Sequence, residues 1–104
     1  MERFVWKGHV DAENLAEYIE KHQKIWPEME QLMRRAGMRN YSIWNFGEEL
    51  IGYYEYLGQD RKQQIYAEHQ DILDRWNEHM HGVMQFDRDE YGNVKNYAMV
   101  WLME

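Results

Sequence analysis

The hydrophobic and polar positions change period several times along this chain. From residue 3 to 10 they alternate, with Phe4, Trp6 and Gly8 on one side and Val5 and Lys7 on the other, which predicts a β-strand. At Asp11 the period changes. Asp11 stands where a helix N-cap belongs, with Asn14 three residues on, and Leu15, Tyr18, Ile19 and His22 then recur at the spacing of one helical face. Pro27 suits the first turn of a helix and not its interior, so the helix breaks near Ile25 and Trp26 and a new one starts at Pro27. Met29, Leu32, Met33 and Ala36 form the buried stripe of this second helix, and Gly37 is its C-cap.

Residues 40–46 and 50–57 are rich in Tyr, Ile and Trp and predict two strands, joined as a hairpin through Gly47, Glu48 and Glu49. Residues 59–84 have a helical period, with Ile65, Ile72, Leu73, Trp76, Met80, Val83 and Met84 on the apolar face and a break near His69. A polar loop over 87–93 carries a Tyr-Gly-Asn turn. Residues 95–103 predict the last strand, with Tyr97, Met99 and Trp101 facing one way and Ala98, Val100 and Leu102 the other.

The order β-α-β-β-α-β is that of an α+β, ferredoxin-like domain: an antiparallel four-stranded sheet with helices on one face. The other face then has no cover. A final strand apolar on both sides, together with Trp6, Tyr53, Tyr54 and Tyr56, makes a bare face a large exposed patch. A second copy packed face to face removes it, so the expected assembly is a homodimer of the dimeric α/β-barrel type.

Composition narrows the function. The 104 residues make one domain, 1–104, and 16 of them are Trp, Tyr or Phe, enough for a core, an interface or a sugar-stacking surface. A formal net charge of -7 with scattered Lys and Arg argues against nucleic acid and anionic membrane partners. The chain has no cysteine, so disulfides, thiol nucleophiles and cysteine-type zinc sites are excluded, and a cytoplasmic location is expected. Its first residues carry charges and no apolar run, unlike a signal peptide, and no stretch approaches the roughly 20 apolar residues of a membrane span.

Histidine, carboxylate, Tyr and Trp are left as candidate chemistry. His22 lies on an apolar helical stripe one turn after Tyr18. Two readings stand: a structural histidine bonded to Tyr18, or a proton-transfer group whose burial keeps it useful near neutral pH. Glu28 fits a helix first turn, and also a hydrogen-bond partner in a site. His69, His79 and His81 are not spaced to share a helix face, so they read as solvated, with no metal site expected. Trp76 is core by its spacing, although a Trp at a core rim also stacks on sugar C–H faces. Asn77 lies about 100° further round the helix, at a pocket edge or a different neighbour.

Tyr18, His22, Ile25-Trp26-Pro27-Glu28, Gly37, Asn40-Tyr41 and Arg75-Trp76 together resemble the L-rhamnose mutarotase family. The resemblance runs from the first strand to about Met84, and its most specific part is Tyr-x3-His-x2-Ile-Trp-Pro-Glu. It implies a dimeric fold and a cofactor-free anomerase acting on a small sugar, most simply L-rhamnose. It implies further that His22 is the proton donor, that Tyr18 and Tyr41 bind substrate, and that Trp76 begins a sugar-stacking pair. Asn77 departs from the second tryptophan of that pair, which bears on the choice of sugar rather than on the reaction. Two other functions fit the same architecture: a small ferredoxin-like monooxygenase with a haem or quinone substrate, and a non-catalytic dimeric ligand-binding or regulatory module.

Overall fold

A computed structural model describes residues 1–58 and 62–104. Strand β1, Glu2–His9, leads through a 3-10 turn at Ala12–Asn14 into helix α1, Leu15–Gln23. Helix α2, Pro27–Arg35, follows, and then strands β2, Met38–Phe46, and β3, Glu49–Tyr56. Helices α3, Lys62–Glu68, and α4, Gln70–His79, precede the short strand β4, Gln85–Phe86. The sheet is antiparallel in the order β2-β3-β1-β4, the ferredoxin-like arrangement expected from the element order.

The breaks fall where the local chemistry places them. Pro27 opens α2 at its first turn, and Gly37, at φ +98°, takes the left-handed position after it, donating its N–H to the Arg34 carbonyl at 3.1 Å. The long helical stretch divides at His69, and the start expected for it at 59–61 lies outside the described residues. The hairpin turns on two residues, Gly47 and Glu48, because β3 already begins at Glu49.

Four expectations are corrected. Residues 95–103 are not a strand; the fourth strand is Gln85–Phe86, pairing Gly8 with Phe86 and His9 with Gln85. Alternation alone does not make a strand when no neighbour supplies the ladder, and Val100 and Trp101 are left 98% and 75% exposed. Trp6, Tyr54 and Tyr56 belong to the helix-covered face, since Trp6 pairs with Gly52 and Phe4 with Tyr54. Ile19 leaves the buried stripe of α1 and is exposed. The Asp11 side chain caps no helix and instead accepts from His9 Nε2 at 3.0 Å.

Two apolar clusters form under the helices. One joins Trp6, Val10, Tyr18, Leu50 and Val83; the other joins Met29, Leu32, Ala36 and Ile65, with Trp26 and Trp76 against it. Between them lies the cavity described next.

Candidate functional site

A cavity of about 810 Å³ is walled by Trp6, Tyr18 and Leu50 from the first cluster and by Met29, Met33 and Trp76 from the second. His22, Tyr41 and Asn77 line it as well. All five residues singled out in the sequence, Tyr18, His22, Tyr41, Trp76 and Asn77, thus meet at one place from three elements.

His22 sits in the last turn of α1, half-buried. Its Nδ1 is 3.0 Å from the Tyr18 carbonyl oxygen. That oxygen only accepts, so Nδ1 carries the proton, and the neutral ring keeps a bare Nε2. Burial lowers the His22 pKa from its ordinary value, against a smaller opposing effect of the Tyr18 carbonyl bond. The ring lies 4.3 Å from the Tyr18 ring and meets Trp76 edge-on at 5.8 Å. The structural and proton-transfer readings of His22 are therefore compatible, because the bond to residue 18 uses a backbone atom and one ring nitrogen only.

Tyr18 is buried, and desolvation, with the nearby Tyr41, raises its hydroxyl pKa above the usual phenol value. Tyr41 is delivered by a bulge. Arg39 pairs with Glu55 and Ser42 with Tyr53, so Asn40 and Tyr41 stand together opposite Tyr54. Asn40 takes φ +52°, a value asparagine tolerates, and its amide bonds Glu55 at 2.6 Å. The Tyr41 ring then stacks on Tyr54 at 5.1 Å, and its hydroxyl oxygen accepts from Trp6 Nε1 at 2.7 Å. Burial pushes the Tyr41 pKa up to about 12, with the Trp6 bond pulling the other way.

Trp76 is held from behind by Trp26, edge-on at 5.2 Å, and by His79 at 5.6 Å. Arg75 covers Trp26 at 5.7 Å and pairs with Glu28 at 3.2 Å, so Glu28 serves this support and does not line the cavity. His79, expected to be solvated, is half-buried between the two indoles. The side-chain amide of Asn77 makes no protein hydrogen bond among the described residues. Among the lining residues that the sequence did not mark as functional are Trp6 and Tyr66. The sequence pattern put Trp6 on the uncovered face of the sheet, and it gave no mark to Tyr66, whose hydroxyl lies 3.6 Å from the Met38 sulfur. An aromatic at a helical or alternating position carries no local sign of which side of its ring is open.

His69, His79 and His81 do not come together as ligands. Among the described residues, the one grouping at metal-ligand proximity is His9, Asp11 and Glu48, all exposed, with His9 Nε2 at 3.0 Å from Asp11 and 3.3 Å from Glu48.

A ferredoxin-like domain with a half-buried histidine, phenol hydroxyls and an indole face in one cavity fits a class: small α+β enzymes of proton transfer. The family can be named more narrowly. The L-rhamnose mutarotase family model matches residues 3–103, well past Met84, and this chain belongs to that family. An L-rhamnose mutarotase of Jannaschia sp. (strain CCS1) is 32% identical over 91 residues, 86% of each chain. The crystal structure of an L-rhamnose mutarotase from Formosa agariphila shares the fold with a TM-score of 0.75 at 21% identity, covering 100% of both chains. A dimeric ferredoxin-like protein from an uncultured marine organism also aligns, with a TM-score of 0.53 at 14% identity over 98% of this chain and 96% of the other. The match favours the mutarotase expectation over the monooxygenase one.

Proposed function

We propose that this protein is a mutarotase that interconverts the α and β anomers of L-rhamnose. The observation that carries the reading is the His22 tautomer: Nδ1–H is spent on the Tyr18 carbonyl, and Nε2 is left as a base in the cavity that Tyr41 and Trp76 also line. Ring opening needs the C1 hydroxyl proton removed while the ring oxygen gains one, and closure reverses both. His22 takes the proton at Nε2 and returns it on closure. This refines the donor role implied by the resemblance, because His22 donates only after it has accepted. Trp76 offers a flat apolar face for the sugar C–H bonds, and Tyr18 holds a neutral hydroxyl for a sugar oxygen.

The test is NMR magnetisation exchange between α- and β-L-rhamnose, with and without protein. Exchange well above the spontaneous rate is expected. No acceleration with L-rhamnose or with any sugar in a panel of hydroxylated analogues sinks the reading. Asn77, with an amide free for a hydroxyl, gives such analogues a place in the panel.

The enzyme is cytoplasmic and homodimeric in this reading. A cysteine-free, acidic chain suits the cytoplasm. Support for the dimer comes from the face opposite the helices. Trp44 and Phe46 are 67% and 80% exposed there, Ile51 and Val5 adjoin them, and the apolar residues 97–103 lie uncovered. Sedimentation at micromolar concentration is expected to give twice the chain mass of 12.9 kDa. Trp44→Glu with Phe46→Glu is expected to shift it to monomer, and a wild-type monomer would remove the dimer.

A further inference from the structure

The hydroxyl of Tyr41 has a direction that the sheet imposes on it. Trp6 stands on β1 and Tyr41 on β2, with β3 between them. The indole reaches across because its neighbour on β3 is Gly52: a Cβ built there would lie 1.9 Å from Trp6 Cε2 and 2.1 Å from Nε1. The ring therefore lies flat over the Gly52 backbone, and its N–H meets Tyr41 Oη at 2.7 Å. An indole nitrogen only donates, so the phenol oxygen accepts, and the phenol proton points elsewhere. No side chain or carbonyl among the described residues takes that proton. Tyr41 lines the cavity, so its O–H is free to bond whatever occupies it.

We propose that Trp6 is a positioning residue which fixes Tyr41 as the acid partner of His22. The inference rests on the mutarotase reading. In the opening step, His22 Nε2 takes the proton of the C1 hydroxyl as the C1–O5 bond breaks. Tyr41 Oη–H gives its proton to O5, leaving the open-chain aldehyde, an imidazolium and a tyrosinate. After rotation about C1–C2, the imidazolium returns its proton to the carbonyl oxygen, O5 attacks C1, and the O5 proton goes back to Tyr41. The Trp6 N–H points at the oxygen on which negative charge develops, as an oxyanion donor does. It also lowers the Tyr41 pKa from the value burial alone would give. Tyr18 is a weaker candidate for this role, because no donor among the described residues supports its oxygen, whereas Trp6 supports that of Tyr41.

Anomer exchange on L-rhamnose tests this with Trp6→Phe, Tyr41→Phe and the double variant. Trp6→Phe is expected to lower kcat about tenfold with KM little changed, the loss of one hydrogen bond to a developing charge. Tyr41→Phe is expected to lower kcat about 100-fold, as for loss of a general acid. In the Tyr41→Phe background, Trp6→Phe should add less than about twofold, since its only route to the chemistry has gone. Trp6 is 6% exposed and packs in the core, so the fold needs a safeguard. Benzothienylalanine at position 6 keeps the ring shape and replaces N–H by sulfur, and it should reproduce the tenfold loss in kcat at wild-type melting temperature. Wild-type kcat in that isostere, or an equal Trp6→Phe loss in both backgrounds, overturns the proposal. Wild-type protein that accelerates exchange of no sugar overturns the mutarotase reading and the Trp6 role with it.

Discussion

His22→Ala is expected to lower kcat for anomer exchange by about 10²–10⁴-fold, the usual span for a lost general acid–base group. Binding of L-rhamnose should weaken far less, because Trp76, Tyr18 and Tyr41 remain in the wall. Added imidazole should restore part of the rate, since the truncated side chain leaves room at the cavity edge. Exchange by His22→Ala within threefold of wild type, after subtraction of the spontaneous rate, would remove His22 from the mechanism.

The pH dependence follows from the same geometry. Burial lowers the His22 pKa from 6.5, so the neutral, basic form persists into mildly acidic solution. The rate should therefore stay flat as pH falls past 6.5 and drop only below the lowered value. Stability has the same sign. The unfolded histidine binds its proton first, so the contribution of His22 to stability is complete above about pH 6.5 and fades as pH falls through the folded-state value. A rate profile with its midpoint at or above 6.5 would show that another group sets the acidic limb.

The helical period at Tyr18 and His22 and the proline at 27 were enough to place the first two helices, alternation placed β1, and richness in Tyr, Ile and Trp placed β2 and β3. These signals are local, and local backbone preference generates them. The strand expected over 95–103 had the same alternation, yet pairing is not local, and the two ladder positions beside β1 belong to Gln85 and Phe86. The candidate site divides along the same line. Tyr18, His22 and Trp76 stood out by spacing and by the motif they share with the family. Trp6 did not, because its role depends on a glycine 46 positions away and on a bulge in a third strand. Nothing near Trp6 in the chain records either. Glu28 shows the opposite case: its place in the first turn of α2 is as expected, and its motif membership does not put it in the site. It belongs to the motif, and the structure gives it to Arg75, where it braces Trp26 behind the site.

Gly52→Ala should be the most damaging single methyl in the protein. Carbon atoms in contact settle about 3.5–4.0 Å apart, and the new Cβ would stand 1.9, 2.1 and 2.3 Å from three indole atoms of Trp6. The obstacle is a rigid ring, not a flexible chain end. Trp6 also meets Phe86 edge-on at 4.9 Å and packs with Val10, Leu50 and Val83, so it has nowhere near to go. Overpacking of about 1–3 kcal/mol and a lost hydrogen bond of about 1 kcal/mol give a destabilisation near 3 kcal/mol. In a domain of this length that lowers Tm by about 12 °C or more. Activity should fall further than stability accounts for, because displacing the indole frees the Tyr41 hydroxyl from the donor that fixes it. Thermal melts of Gly52→Ala, Trp6→Leu and the double variant separate the two effects. Leucine at position 6 makes room for the new methyl, so the double variant should lose less stability than the two single losses added together. It should still be slow, because leucine has no N–H to give Tyr41. A Gly52→Ala protein that melts within 2 °C of wild type would mean that the Trp6 ring does not need the bare backbone of Gly52, and strictly additive losses would mean that the two positions do not meet.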